Sequence, residues 1–499
     1  MRARALACLL CGCSLSVAAQ QVLPAPDLAQ QVQQLSDALT RTESQLEQSQ
    51  RELEELRNQL SVMKLQLAAK GVTSSPHPEQ PVPQPGAASS SSNEDLRERL
   101  AIAESQIATH EQSKVETESK YPIKITGMLL FNGFVNTSAV NLPVTPSIAL
   151  GGSGSTGASV RQTILGFDAR GPHLLGAQSS ADLRIDFAGT TQSAADNGSF
   201  AGPYSSSAAF LRLRTAHASL DWQHTQLSFA LDRPLISPDT PTSLTAVAEP
   251  ALAWSGNLWT WNPQLELSHN FDLPRQSSFR TQVALIDVAD SPFTPQLTTT
   301  TASTGEQSRW PGAEARIAFL RPGDTESDNH FGIGGYFAPH RLDPDQTFDS
   351  WAASLDVNQH LGSHFVWTGS AYRGLALGGL GGGAYKDIAY HTNSMGETYI
   401  HPLDNVGGWT QLKEFISSRL EFNEAFGTDQ IFAGQLRRYA GSNATYQNLA
   451  AARTWTANVL YRPSAYLLFS LEYRRLVDAW AVGSPAAANV IGLAVGYKF

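Results

Sequence analysis

The chain has 499 residues, 45 acidic against 35 basic side chains and a net charge of −10, without the basic bias that a nucleic-acid partner demands. Beyond the first residues no run of about 18 apolar, uncharged side chains occurs, so a transmembrane helix is excluded from the body of the sequence. Strands that show apolar residues only at alternate positions are not excluded, because they leave no such run.

At the N-terminus, Arg2 and Arg4 precede an apolar stretch from Ala5 to Val17 that ends in Val17-Ala18-Ala19. Charged, apolar and small residues in that order predict a secretory signal over residues 1–19, cleaved after Ala19. A lipoprotein-type cleavage at Leu10-Cys11-Gly12-Cys13 is the alternative. All three cysteines (Cys8, Cys11, Cys13) lie inside the signal, so the exported chain depends on no disulfide.

Residues 28–70 carry a heptad repeat: Leu28, Val32, Leu35, Leu39, Leu46, Leu53, Leu56, Leu60, Met63 and Leu67, with Thr42 and Ser49 in the remaining seam places. A period of 3.5 predicts a coiled coil, about 60 Å long at the helical rise. Residues 71–93, rich in Pro and Ser, predict a linker. Residues 94–120 predict a helical stem, with Leu96, Leu100, Ala103 and Ile107 on one stripe.

From 121 to 499 the pattern changes to period two. About sixteen strands are predicted, and their connections alternate long and short. Trp455, Ala457, Val459 and Tyr461 alternate with Thr454, Thr456 and Asn458, and Leu467, Phe469, Leu471 and Tyr473 alternate with Ser470, Glu472 and Arg474. The final stretch sets Ile491, Leu493, Val495, Tyr497 and Phe499 against small or polar neighbours. Such faces predict an all-β transmembrane antiparallel barrel, with apolar residues to lipid and polar ones to a wet lumen. Near the C-terminus the pattern predicts strands over 411–425 and 430–438, joined by a turn at Phe426–Asp429.

The candidate chemistry lies on the early strands. Leu183, Ile185 and Phe187 point one way and Arg184 and Asp186 the other, while Leu211 and Leu213 alternate with Arg212 and Arg214. With Arg161, these arginines are predicted to line the pore and concentrate anions. The alternative is that each is paired with a carboxylate such as Asp186 and serves only to hold the wall. His217 and Ser219 share a strand face that an outer-membrane lipase would turn to lipid. The Gly378–Gly383 run lacks the residues of a phosphate loop and reads as a mobile outer loop. No residue spacing suggests a metal site, and no cofactor is expected.

The signal, the coiled coil, the strand number, the segment from Arg161 through Gly166 to Asp186-Phe187, Leu211-Arg212-Leu213-Arg214 and the terminal Phe together resemble the DcaP-like trimeric porins. The resemblance implies an outer-membrane barrel with its coiled coil in the periplasm, a homotrimer, and passive diffusion of small hydrophilic, anionic solutes. The resemblance to classical sixteen-stranded porins implies a constriction loop after the fifth strand, here 233–257, with Asp232, Arg233, Asp239 and Glu249 as its charges. It also implies an assembly signal at Tyr497 and Phe499 read by the barrel-assembly machinery. The partners expected are therefore outer-membrane lipids, that machinery, like copies and small solutes, with no nucleic acid. Two other roles fit the same residues: an anchor whose coiled coil tethers the envelope, and a lipase.

Overall fold

A computed structural model describes residues 123–189, 210–291, 294, 302–321, 329–343, 345–439 and 446–499. The predicted signal, coiled coil, linker and stem lie outside the described residues. The strands run in chain order as β1 (Ile123–Asn136), β2 (Ser155–Ser159), β3 (Ile164–Leu174), β4 (Ala177–Gly189), β5 (Phe210–Asp221) and β6 (Thr225–Asp232). They continue as β7 (Asn262–Asp272), β8 (Ser278–Ile286), β9 (Gly312–Arg321), β10 (Asn329–Asp343), β11 (Gln346–Leu361) and β12 (Phe365–Leu375). A small hairpin, β13 (Ile388–Thr392) and β14 (Thr398–Pro402), precedes β15 (Asp404–Phe415), β16 (Leu420–Ile431), β17 (Leu449–Tyr461), β18 (Leu467–Trp480) and β19 (Ala486–Lys498).

Apart from the β13–β14 hairpin, all strands join one antiparallel 17-stranded sheet. β2 and β3 lie end to end along β1, so the sheet has sixteen staves. β1 pairs with β19 from Met128↔Lys498 to Asn136↔Val490, which closes the barrel. Phe499 extends this seam, donating its N–H to the Gly127 carbonyl and accepting from the Gly127 N–H.

Alternation sets the two faces. Leu129, Phe131, Leu211, Leu213, Phe229, Leu265, Leu285, Ile317, Ile333 and Leu493 are exposed on the outside. An exposed apolar band on a closed barrel, with no sheet edge left to satisfy, is a surface for lipid hydrocarbon. Tyr497 also points outward.

One hairpin departs from the sequence reading. The predicted strand over 411–425 spans the real turn at 416–419, where the Ser417 hydroxyl accepts from the N–H groups of Arg419 and Leu420. The predicted turn at Phe426–Asp429 lies inside β16, and the predicted strand over 430–438 is largely the helix Ala433–Tyr439. Gly427 misled the reading. It stands mid-strand because another backbone passes over it: a Cβ there would lie 2.1 Å from the Ser255 carbonyl oxygen.

The Gly-rich run is not a free outer loop. Gly378, Gly379 and Leu380 are buried; the Leu380 carbonyl accepts from the Trp259 N–H and the Gly379 carbonyl from the Thr260 hydroxyl. Lys386, just beyond, is fully buried with its ammonium donating to the Ala384 and Tyr446 carbonyls. Burial lowers it to about 7.

Candidate functional site

The connection between β6 and β7, residues 233–261, folds into the lumen. Backbone groups need partners wherever water is excluded, and tracing those partners traces the path. The Leu235 N–H donates to Glu314 on β9 at 2.7 Å, and Asp239 meets His330 on β10 at 2.9 Å. Thr242 donates to Gln411 on β15 at 2.6 Å and accepts from Asn458 on β17 at 2.8 Å. Ser243 donates to Glu472 on β18, and the Leu244 carbonyl accepts from Asn132 on β1. Gln162, at the break between β2 and β3, donates to the Thr245 carbonyl and accepts from the N–H groups of Val247 and Ala248. The segment thus makes a circuit of the inner wall.

Its last turn of contacts carries the arginines. Arg212 donates to the Ala248 carbonyl at 2.5 Å, and Arg214 to the Val247 carbonyl at 2.7 Å. Both also reach Asp186: Arg212 at 3.1 and 2.6 Å, Arg214 at 3.3 Å. Asp186 is wholly buried. Two cations sharing one anion leave one net positive charge, and Trp261 stacks against both guanidiniums at 5.1 and 5.0 Å.

A β-bulge positions this pair. Arg184 lies opposite Thr215 and Ile185 opposite Leu213, so Arg214 is the extra residue. The bulge also shifts the alternation: Arg212 and Arg214 face the lumen before it, His217 and Ser219 after it. The pair that a lipase would turn to lipid therefore looks inward. His217 lies between Asp182 (Nδ1, 3.1 Å to either oxygen) and Asp232 (Nε2, 3.1 Å), and Ser219 bonds to Ser180.

The other predicted residues are placed as follows. Arg184 donates to Asp168 at 2.5 Å on the half-open wall of β3 and β4. Arg161 is buried and donates to the Phe187 and Gly189 carbonyls, so it braces the wall. Arg233 reaches the Pro238 carbonyl at 3.5 Å. Glu249 accepts from the Ser147 hydroxyl at 2.8 Å, and burial raises its carboxyl above the usual range.

Two groups were missed. On β18, Arg474 bonds Glu472 and donates to Thr245 at 2.6 Å, both residues being buried. On the opposite wall, Arg316 forks onto Asp356 at 3.0 and 2.5 Å, and His330 joins Asp356 to Asp239. Asp239, His330 and Asp356 bring donor atoms within 4.8 Å of one another, but the guanidinium fork on Asp356 makes this an ion-pair network rather than a cation cage. The signal for both was the polar register of the strands; the partners are far apart in sequence.

These contacts correct the expectation of a uniformly wet lumen. Thr454, Thr456, Asn458, Ser470 and Glu472 are polar and inward but almost wholly buried beneath the loop. The half-open polar wall lies on β3 to β6, where Asp168, Asp182, Arg184 and His217 keep partial exposure.

No protein-family model and no curated protein sequence matches the chain. Solved structures do. The outer membrane channel DcaP of Acinetobacter baumannii superimposes with a TM-score of 0.56 at 16% identity, covering 76% of this chain and 97% of that one. The barrel has the porin fold. Pseudomonas putida OprB (TM-score 0.47, 10% identity, 78% and 96% covered) and an anion-selective porin from Comamonas acidovorans (0.44, 10%, 76% and 100%) are looser likenesses. Within this porin fold the inward segment follows the fifth stave, counting β2 and β3 as one.

Proposed function

We propose that the chain is an outer-membrane porin passing small hydrophilic solutes by diffusion, with a mild preference for anions. One observation carries the reading: inside a closed barrel with an apolar outer face, a loop folds inward and is clamped to the wall by Arg212 and Arg214. The belt narrows the lumen and sets a size limit. The single net positive charge at the clamp raises the local concentration of anions without holding them tightly. The coiled coil at residues 28–70 joins three copies on the periplasmic side in this reading, and the terminal strand presents Tyr497 and Phe499 to the assembly machinery.

Planar-bilayer recording under a KCl gradient tests it. Conductance in steps of three, with a reversal potential on the anion side, is expected. The triple variant Arg212→Gln/Arg214→Gln/Asp186→Asn removes the net charge without stranding a buried carboxylate, and its reversal potential moves towards zero. Folded protein without conductance would leave the barrel an anchor and overturn the porin reading.

A further inference from the structure

The arginine clamp has a counterpart of opposite sign on the same strands. Asp182 on β4 and Asp232 at the end of β6 face the two ring nitrogens of His217 on β5, each at 3.1 Å. A neutral imidazole donates from one nitrogen only, so bonding to carboxylates on both sides calls for the imidazolium. Two carboxylates and one imidazolium leave one net negative charge. The clamp, two guanidiniums on Asp186, leaves one net positive charge. The triads are offset along β5 by the three residues from Arg214 to His217, about 10 Å of strand.

Both triads meet the open lumen. The side chains of Asp182 and Asp232 are 33% and 35% exposed, and that of Arg212 is 29% exposed. Each is also held firmly. Trp261 and the loop carbonyls fix the guanidiniums, and the Arg233 N–H donates to Asp232 at 2.7 Å. Beside them Arg184 pairs with Asp168 and also approaches Asp182 at 3.8 Å, and the Arg184–Asp168 pair adds no net charge. The Arg233 guanidinium is close enough to act on both Asp232 and Arg214 and offsets part of the negative end, so the open wall carries its cations at the clamp and its exposed carboxylates at the second triad.

From this juxtaposition we propose that the lumenal wall of β4 to β6 is a binding subsite for small zwitterions, the carboxylate of the solute at Arg212 and Arg214 and its ammonium at Asp182 and Asp232. The inference rests on the porin reading and narrows its solute class. The match is to solutes whose opposite charges stand several ångström apart, such as a dipeptide or an ω-amino acid. An α-amino acid, with its charges on adjacent carbons, spans less of the gap. A plain anion meets attraction at the clamp and repulsion at the second triad.

Three solutes of nearly equal size separate the terms: glycylglycine, N-acetylglycinate (which lacks the ammonium) and glycylglycinamide (which lacks the carboxylate). Each is added to full-length protein in a planar bilayer, and transient block of the KCl current is recorded. Glycylglycine is expected to half-block at a concentration about fivefold lower than either analogue, as one added charge contact in a high-dielectric lumen gives. The variant Asp182→Asn/Asp232→Asn should lose the advantage over N-acetylglycinate while still binding that anion. Current with equal block by all three solutes, or strongest block by N-acetylglycinate, overturns the inference and leaves the porin reading intact. Folded protein with no KCl current overturns both. The wild-type comparison is decisive even if a variant fails to fold.

Discussion

Asp186→Asn is the sharpest probe of the clamp. The carboxylate is wholly buried between Arg212 and Arg214, and the amide keeps its shape while removing its charge. The net charge at the clamp rises from one to two. For an ion passing at about 5 Å in a water-like lumen, one added charge is worth about 0.8 kcal/mol, or roughly fourfold in local ion concentration. Anions gain and cations lose by that factor, so the anion-to-cation permeability ratio rises by as much as about sixteenfold at low salt. The guanidiniums keep their bonds to the Val247 and Ala248 carbonyls, which limits the stability cost to about 1–3 kcal/mol. Reversal potential across a KCl gradient is the assay, with heat-modifiable gel mobility as the check on folding. Repeating it near 1 M salt, where the Debye length falls to about 3 Å, should erase most of the shift. A folded variant with an unchanged reversal potential at low salt would refute the assignment of selectivity to this triad.

Three further outcomes follow from the packing. Gly427→Ala puts a methyl group 2.1 Å from the Ser255 carbonyl oxygen, whereas a Cβ at Gly133 meets nothing within 4 Å. The first should cost about 1–3 kcal/mol by overpacking and raise single-channel conductance as the loop is displaced, the second neither. Arg316→Met takes the guanidinium fork from the buried Asp356 and leaves it only the His330 ring; it should cost about 3 kcal/mol in guanidinium unfolding, most of it recovered in Arg316→Met/Asp356→Leu, and a single variant no worse than the double would refute the pairing. Burial raises Glu249, so the folded state holds that proton more tightly than the unfolded chain. Its contribution to stability is then fullest below the ordinary carboxylate range and falls as pH climbs to the raised value. Unfolding midpoints should therefore slope down more steeply as pH rises above the ordinary carboxylate range in the native chain than in Glu249→Gln.

The barrel was legible because alternation is a local signal that every strand repeats: Leu211, Arg212, Leu213 and Arg214 declare two faces within four residues. The bulge at Arg214 was not, since one extra residue leaves no mark in composition yet moves His217 from lipid to lumen. The β15–β16 hairpin was misread for a similar reason. Gly427 resembles a turn residue until the loop that crosses it is known. Of the site, the sequence yielded the arginines, Asp186 and Asp232, while Asp182, Arg316, Arg474 and Trp261 gained their meaning only when the belt and the closed sheet brought distant segments together. Glu249 and Arg161, read as lumenal charges, bond instead to the Ser147 hydroxyl and to backbone carbonyls.

The seam between β1 and β19 carries a lesson about time. Gly127 and Phe499 exchange both backbone hydrogen bonds, so the first strand made finds its partner only when the last has emerged. Closing so long a loop is entropically slow, and until it closes the nascent sheet presents two raw edges to whatever lies nearby. Ring closure therefore requires both end strands at once, and until they meet the two edges of the seam are the part of the molecule most in need of an escort.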